Sequence, residues 1–484
     1  MSAKKIVCLG GGSVYFHWGM IDLVTHPELA GSEIVLYDLD AEKIRIVAAM
    51  TRRLVREAGT RMKVRTTTGL ADAVDGADFA VSSIGGSGAE VTPNVYASRF
   101  HDADMRIPAK YGIHQVIGDT AGPAGMMMGL RSIPAYLRIC REMEKRAPKA
   151  ILFNHSNPMA VLMRAMHKHT SVNAIGICHG VQGGIRHTAE LLGVPAEELE
   201  CTWIGTNHFY WFTRVLHNGK DVYDALRERI RRDPPVKSRL SYQLSDAFDH
   251  VIVYAQDDHV IEFFPFLTQL PGGVKDMPEE LQKAALSHSF DESKPPTPQN
   301  GSGQAQRATP EARKAFFREY RKMVDRVEMP PRLKKKGIEK KGTVPASGQS
   351  PFSPPSSSGG EAVGGMMSAI ATGKRRLCIV NIANRGSIPN LPFDAEVEIE
   401  AVTDRCGVRG LDMGECPRAL KAILEKRFVW QDLVADAAVT GDRKLALQAL
   451  LLDEMSIWPD KAAPMLDELL LASRELLPQF FPKG

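Results

Sequence analysis

The chain has 484 residues, of which 44% are hydrophobic and 7% aromatic, and its formal net charge is only +4. This length and apolar content predict a large core in two joined domains, and the mild charge argues against a nucleic-acid partner. No segment reaches the roughly 20 apolar residues of a membrane span, and no signal-peptide pattern opens the chain. Seven cysteines without a CxxC pair indicate a reducing compartment. We therefore expect a cytoplasmic protein that does not bind membranes.

Strand-like and helix-like patterns alternate along the first 200 residues. Apolar runs at residues 5–9, 33–40, 79–86, 150–158 and 173–180 each end in glycines or polar residues. Helical spacing of apolar residues separates the early runs, at 20–29 and 41–59. This alternation predicts an α/β fold with a doubly wound parallel sheet of the Rossmann type. Ligands bind at the carboxyl ends of the strands in such sheets.

The second half is less regular. Residues 377–404 indicate strands around a Gly/Pro/Asn turn, and the pattern is helical from Pro417 onward. Between about residues 291 and 360 the composition shifts to Pro, Ser, Gly and Lys, which predicts a mobile insertion with one helix at 310–327. We place a nucleotide-binding domain at 1–200 and a second domain, for substrate and oligomerisation, at 201–484.

The first strand leads into Gly10, Gly11, Gly12 and Ser13. Glycines here would let the backbone approach a pyrophosphate at the N-terminus of the following helix. The third glycine of the G-x-G-x-x-G pattern is missing, but Asp38 closes the second strand, where an acid would hold the ribose of NAD rather than NADP. The alternative is a glycine turn in an ordinary α/β protein.

Two polar stretches follow later strands. The stretch QVIGDTAGPAG contains Asp119 and Thr120, and NHSNP contains Asn154 and Asn157. Amides at such positions can bind sugar hydroxyls or the nicotinamide amide, although Asn and Pro also form turns and helix caps for purely structural reasons.

Two further stretches carry groups that ligate metals or transfer protons. Cys178 lies in GICHG and His208 in GTNHFYWF, and a thiolate with an imidazole suits a transition metal. A buried structural cysteine and a core histidine are the simpler alternatives. In QDDHVIEFFPF, Asp257, Asp258 and His259 could act as acid, base or support for the metal ligands, or form a solvated turn and helix cap.

In their order along the chain, these motifs resemble the family-four glycoside hydrolases, which are NAD- and manganese-dependent glycosidases. The matching stretches run from about residue 4 to 470 and leave out the insertion: GGGS, DTAGPAG with GLRSIP, NHSNP, GICHG, GTNHF, DDHVIEFFP, NRGSIPNLPFDAEVE and AAVTGDRKLALQALLLD. The resemblance implies a Rossmann domain joined to a dehydrogenase-like α/β (α+β) C-terminal domain. It also implies a homodimer or homotetramer.

The resemblance further implies an unusual hydrolysis of a small glycoside. Bound NAD would transiently oxidise carbon 3 of the sugar, a base would remove the proton on carbon 2, the aglycone would leave by elimination, and water would add before the hydride returns. This route is an exception to the usual chemistry of two carboxylates, and NAD ends unchanged. The rival readings are an NAD-dependent dehydrogenase of a hydroxy acid or sugar, with net NADH production, and a non-catalytic sensor.

The resemblance assigns roles to individual residues. It identifies Cys178 and His208 as ligands of manganese or another divalent metal. It places the cofactor at Gly10, Gly12, Ser13 and Asp38 and the substrate at Asn157. We add Gly11 and Asn154 as candidates for the cofactor and Asn207 and Arg131 as candidates for the substrate. Asp119, His179 and Asp257 are alternative acid or base groups, and the choice among them stays open.

His179 stands where many glucosidases of the family have aspartate. Histidine at this position resembles the α-galacturonidase and NAD-dependent sulfoquinovosidase branch, and it still exchanges protons near neutral pH. We therefore expect an anionic sugar, such as a uronide or a sulfoquinovoside, over a neutral glucoside. The candidate anion contacts are Arg131, Arg106, Lys110 and His114, each of which could equally be an ordinary surface group.

Overall fold

The computed structural model describes residues 3–86, 95–287, 310–330, 333 and 363–482. Its strands are β1 Lys5–Leu9, β2 Glu33–Tyr37, β3 Lys63–Thr67, β4 Phe79–Ser82, β5 Ile151–Asn154, β6 Asn173–Gly176, β7 Leu199–Thr206, β8 Phe209–His217, β9 Lys220–Asp221, β10 Arg376–Ala383, β11 Glu396–Asp404 and β12 Gly407–Gly410. Its helices are α1 Tyr15–Val24, α2 Ala41–Ala58, α3 Leu70–Val74, α4 Arg99–Lys110, α5 Gly122–Arg146, α6 Met159–His169, α7 Gly180–Leu192, α8 Tyr223–Arg232, α9 Arg239–Ala247, α10 Asp257–Val260, α11 Glu279–Ser287, α12 Pro310–Asp325, α13 Val363–Thr372, α14 Arg418–Thr440, α15 Arg443–Leu452 and α16 Pro459–Ala472.

A nine-stranded sheet with the order β12-β11-β10-β6-β5-β4-β1-β2-β3 runs through the molecule. Strands β1 to β6 run parallel to one another, and their order, 3-2-1-4-5-6, is that of dinucleotide-binding folds. Apart from the edge strand β3, these strands are mostly buried on both faces, which explains their continuous apolar runs. The predicted α/β fold with a doubly wound parallel sheet is confirmed.

The C-terminal half extends the same sheet. Strand β10 lies antiparallel to β6, where Asn381 pairs with Gly176, and β11 and β12 continue from it. Helix α14 packs on α5 and α6, so its apolar residues join the core on one face of the sheet. The division at residue 200 stays a prediction, and the sheet crosses that boundary. Nowhere in the described part of the chain is a helix long and apolar enough to cross a membrane.

A second, antiparallel sheet consists of β7, β8 and β9. The pairing of Thr206 with Phe209 leaves Asn207 and His208 as a two-residue hairpin turn. The sequence of this stretch indicates possible ligands and does not predict the hairpin. Strand β3 was not predicted either, because its partly exposed residues alternate without a clear apolar face.

The helix predicted within the insertion is confirmed as α12. Its buried residues Phe317, Tyr320 and Val324 join the core beneath α1 and α2. Most of the remaining stretch at 291–360, for which we expected mobility, lies outside the described residues.

Candidate active site

A cavity of about 400 Å³ opens at the carboxyl ends of the parallel strands. The predicted cofactor residues Gly10, Gly12, Ser13 and Asp38 line one part of it. Another part is lined by Tyr96, Ser83, Ile84, His155, Ser156 and Asn157. The glycine loop and the NHSNP stretch, which are about 140 residues apart in the sequence, therefore share one ligand-sized space.

The glycine loop is shaped by close contacts. Gly10 has a φ of 74°, and a Cβ atom there would lie 2.3 Å from the carbonyl oxygen of Ser83. A Cβ atom on Gly12 would lie 2.5 Å from that of Lys43. Larger residues are therefore excluded at both positions. Gly11 does not line the cavity, and its amide donates to the Tyr37 carbonyl at 2.7 Å.

Asp38 faces the cavity in a fixed orientation. Its Oδ2 atom accepts the Gly12 amide and its Oδ1 atom accepts the Asp40 amide, both at 3.0 Å. The glycine loop and the carboxylate at the end of β2 thus hold each other in place, and together they fit the ribose and pyrophosphate of a dinucleotide.

Asp119 lies where the cavity meets a cluster of possible metal ligands. Its Oδ2 atom accepts hydrogen bonds of 2.7 Å from both Tyr96 Oη and Asn157 Nδ2. Burial opposes ionisation of this carboxyl, but the neighbouring imidazoles of His208 and His259 and the hydrogen bonds outweigh it and hold its pKa below the ordinary value. Because Tyr96 and Asn157 also line the cavity, they connect the cofactor space to this carboxylate.

The two predicted metal ligands lie together. Cys178 follows β6, and its Sγ atom is 3.4 Å from His208 Nε2. Asp119, His208 and His259 each offer one ligand atom, and these atoms all lie within 4.8 Å of one another. A thiolate, imidazoles and a carboxylate form a donor set that fits Mn²⁺, Zn²⁺ or a similar divalent metal.

The backbone and Thr120 both orient His208. The hairpin turn gives His208 a φ of 64°, a left-handed conformation that is uncommon outside glycine and typical of constrained sites. Thr120 Oγ1 donates to Asp119 Oδ1 at 2.6 Å, so it must accept from His208 Nδ1, which lies 3.0 Å away. His208 Nε2 then carries the lone pair that faces Cys178. Burial lowers the pKa of His208, which keeps the ring neutral as a ligand requires.

His259 completes the cluster from helix α10. Its Nδ1 atom lies 3.0 Å from Asp258 Oδ1. Burial opposes protonation of this ring, but Asp258 and Asp119 outweigh it and raise its pKa. Tyr254 contacts both imidazoles, with its ring centre 5.7 Å from that of His208 and 5.3 Å from that of His259.

Glu262 is a supporting residue that the sequence analysis missed. Its buried carboxylate accepts the amides of Val116, Ile117 and Gly118 at 2.8 to 3.1 Å, which fixes the loop that ends in Asp119. Glu262 lies only three residues after His259, so its hydrogen bonds connect the segment of His259 to the loop of Asp119. The available signal was a single acid inside the apolar run VIEFF, since a buried acid needs partners.

The structure gives Asp257 a different task from the predicted acid or base role. Its Oδ2 atom accepts the Leu240 amide at 2.8 Å, and its Oδ1 atom accepts the Ser241 amide at 2.8 Å and the Ser241 hydroxyl at 2.7 Å. The carboxylate therefore holds the first turn of α9, as acids commonly do at helix N-termini. It is not among the three residues of the possible metal cluster.

Three predicted binding residues are buried and bind other residues of the chain. Arg131 forms a two-pronged ion pair with Asp104 at 2.5 and 2.9 Å, with no side-chain surface exposed. Asn154 accepts from the Tyr136 hydroxyl at 2.7 Å and donates to a nearby carbonyl, and Asn207 Nδ2 donates to Glu398 Oε2 at 2.9 Å. None of these three side chains lines the cavity, so the structure does not support the predicted direct roles.

The remaining candidates are divided. His179 is exposed directly before α7, next to Cys178. Arg106 pairs with Asp102 at 2.8 Å and Lys110 with Glu468 at 2.7 Å. Neither these two residues nor His114 lines the cavity, whose cationic side chains are Lys43 and Arg138. The three residues suggested by the sequence as anion contacts therefore lie outside the cavity.

Curated relatives align with the chain over nearly its whole length. An alpha-galactosidase of Rhizobium meliloti (strain 1021) is 28% identical and covers 99% of this chain and 90% of its own length. An alpha-galacturonidase of Bacillus subtilis (strain 168) is 27% identical and covers 93% of each.

Solved structures share the fold. A putative glucosidase of Bacillus subtilis superposes with a TM-score of 0.74 at 25% identity, over 97% of this chain and all of that one. A 6-phospho-alpha-glucosidase from gut microorganisms, solved in complex with NAD and Mn²⁺, gives a TM-score of 0.72 at 21% identity, over 99% of this chain and all of that one.

Two family models match consecutive parts of the chain. The model of family 4 glycosyl hydrolases matches residues 5–194, and the model of their C-terminal domain matches residues 203–455. Together they cover most of the chain, in the order that the sequence motifs predicted. The chain belongs to the family 4 glycosyl hydrolases.

Proposed function

We propose that this protein hydrolyses a small glycoside with the help of NAD and a divalent metal. The observation that carries the proposal is the continuity of the site. One cavity runs from the glycine loop and Asp38 to Asn157 and Tyr96, and these two hold the carboxylate of Asp119 beside Cys178, His208 and His259. A cofactor seated on the loop would thus end near the metal ligands.

When bound, NAD supplies a reversible hydride transfer at carbon 3 of the sugar, and the metal supplies polarisation of the oxygen there. Gly10, Gly12, Ser13 and Asp38 would hold the dinucleotide, and Cys178 and His208 the metal. Asn157 is placed to orient a sugar hydroxyl. Thr120 keeps His208 in the tautomer that leaves Nε2 free to ligate.

Proton transfer falls to groups beside this cluster. Asp119, His179 and His259 are the candidates, and Asp257 is replaced by His259 because the Asp257 carboxylate already holds helix α9. Removal of the proton on carbon 2 needs a base, and departure of the aglycone needs a donor. Three single variants assign the two roles: Asp119→Asn, His179→Ala and His259→Asn. Loss of carbon-2 proton exchange identifies the base, and recovery of turnover with an activated aglycone identifies the proton donor.

For the sugar, we propose a uronide or another anionic glycoside. His179 beside Cys178 supports this choice, as does the alpha-galacturonidase relative. Lys43 and Arg138 are the cationic side chains along the cavity. The alpha-galactosidase relative and the engagement of Arg106, Lys110 and Arg131 in ion pairs favour a neutral α-galactoside as the second candidate.

A panel of nitrophenyl glycosides tests the proposal. It should include α-galacturonide, α-galactoside, α-glucoside, their 6-phosphates and a sulfoquinovoside, with NAD⁺, Mn²⁺ and a reductant present. We expect turnover with no net NADH and, in D₂O, deuterium at carbon 2 of the product. Steady accumulation of NADH would identify a dehydrogenase, and a product without deuterium would reject the elimination route.

The predicted homo-oligomer also stays a proposal. Trp458, Leu471 and Phe393 are more than half exposed, and they are the side chains we expect at a subunit contact. Light scattering of the purified protein would show a mass of two or four chains if the proposal is correct.

A further inference from the structure

Helix α12 lies against the cofactor loop although more than 270 residues separate them in the sequence. Tyr320 Oη donates to the Gly12 carbonyl at 2.6 Å, and the Tyr320 side chain also lines the cavity. The cavity wall beside Asp38 is thus partly built by a helix from outside the parallel βαβ units.

Charged contacts fix the same helix along the end of β2 and the start of α2. Arg313 Nη2 donates to Asp40 Oδ2 at 2.9 Å, and Arg321 Nη2 donates to Glu42 Oε1 at 3.1 Å. Asp40 caps α2 and its amide binds Asp38, so the Arg313 contact is two residues from the carboxylate expected to bind ribose.

Aromatic rings of α12 make further contacts with α1 and α2. The ammonium group of Lys43 lies 5.2 Å from the ring centre of Phe316, and the ring of His17 on α1 meets that of Tyr320 at 5.2 Å. Lys43 also lines the cavity. Helix α12 therefore contacts all three parts of the cofactor loop region, namely the glycines, the start of α1 and the acidic turn after β2.

We propose that α12 is a clamp for the dinucleotide, with Tyr320 as a positioning residue that fixes the Gly12 peptide. A fixed peptide lowers the ordering cost of binding, so the cofactor is held more tightly when α12 is docked. By linkage, bound dinucleotide must stabilise the docked helix to the same extent. This inference rests on the proposed binding of NAD in the cavity.

Tyr320→Phe tests the clamp, since it removes one hydroxyl and keeps the ring. The matched control is Tyr223→Phe, which removes a hydroxyl that donates to a backbone carbonyl at 2.8 Å in the second sheet. We expect the Kd for NAD⁺, measured by calorimetry with the full-length protein, to rise about fivefold for Tyr320→Phe and to stay within about twofold for the control. The KM for NAD⁺ should rise likewise while kcat at saturating NAD⁺ is kept.

A second pair of variants tests the charged contacts. Arg313→Gln should weaken NAD⁺ binding by about twofold to threefold, whereas Arg318→Gln, which removes the same charge from the outer face of α12, should not. Hydrogen exchange should show slower exchange of α12 amides when NAD⁺ is added.

The outcomes separate the two proposals. If the unaltered protein does not bind NAD⁺, the proposed function fails. If it binds NAD⁺ but Tyr320→Phe and Arg313→Gln bind it equally well, or if α12 amides exchange at the same rate with and without NAD⁺, the clamp is wrong and the function stands.

Discussion

The cofactor loop and the metal cluster are built in opposite ways. The loop uses residues 10–13 and 38–40, which adjacent parallel strands bring together, and its contacts are mainly hydrogen bonds donated by backbone amides. The cluster draws Asp119, Cys178, His208 and His259 from four separate segments, and it depends on side-chain geometry. Changes in the loop should therefore act on cofactor binding alone, whereas changes in the cluster should abolish the chemistry.

The largest effect is expected for Cys178→Ser. The variant replaces the thiolate next to His208 Nε2 with a poor metal ligand, and we expect kcat/KM to fall at least about 100-fold, because even groups that merely support metal ligands cost 10- to 100-fold. Binding of Mn²⁺, measured by electron paramagnetic resonance, should weaken in parallel. Cys406→Ser, at an exposed cysteine, is the control. Full activity of Cys178→Ser would remove this residue from the metal site.

Glu262→Ala is expected to reduce kcat by about 10- to 100-fold by releasing the loop before Asp119. Three buried amides lose their acceptor, so the free energy of unfolding should also fall by about 3 kcal/mol. Glu262→Gln keeps the shape and one acceptor oxygen and should recover most of the activity, whereas Glu262→Leu, which has a similar volume but no acceptor, should not. Steady-state kinetics and urea unfolding measure the two effects, and an alanine variant with unaltered kcat would contradict them.

His17 links the loop region to a pH dependence of stability. Its ring is buried against Tyr320, and burial lowers its pKa to about 4 from an ordinary value of 6.5. The unfolded chain therefore binds a proton between pH 6.5 and pH 4 that the folded chain does not, so stability falls as the pH falls through this window. In the unaltered protein this proton lowers the free energy of unfolding at the acid end by about 2 to 3 kcal/mol, and His17→Leu should abolish that decrease.

Urea unfolding at pH 7.5 and pH 4.5 measures this difference. Leu23→Ala, at another buried residue of α1, removes no titratable group and should lower the stability equally at both pH values. An unchanged difference between the two pH values in His17→Leu would show that the buried ring is not the source of the acid sensitivity.

The smallest of these four effects is expected for Asp38→Asn. The amide keeps the shape of the side chain but weakens the charge-assisted bonds to the Gly12 amide and to a ribose hydroxyl, so the Kd for NAD⁺ should rise about tenfold. At saturating NAD⁺ the kcat should be unchanged, in contrast to the cluster variants. A loss of kcat with unaltered Kd would mean that loop and cluster are not separable as proposed.

Much of the fold follows from local sequence signals. The buried strands of the parallel sheet, the glycine loop with Asp38, and helix α12 were all predicted, because each depends on a short run of residues whose periodicity or backbone freedom is visible in the sequence. The residue types alone suggested Cys178 and His208 as metal ligands beside simpler alternatives. The resemblance of ordered motifs to a family favoured the metal, since a spacing of 30 residues is not itself a metal signature.

The tertiary structure alone decided which polar residues face the site. Asp257, Arg131, Asn154 and Asn207 carry the same chemical groups as the residues of the site, yet helix capping, ion pairing and buried hydrogen bonds occupy them. Buried polar groups must be paired somewhere, and a sequence does not reveal whether the partner is a ligand or another part of the chain. The roles of Glu262 and Tyr320 have the same origin, because both act through backbone atoms more than 140 residues away. The sequence by itself determined the chain's family and its Rossmann sheet, and only the tertiary contacts decided the composition of the site.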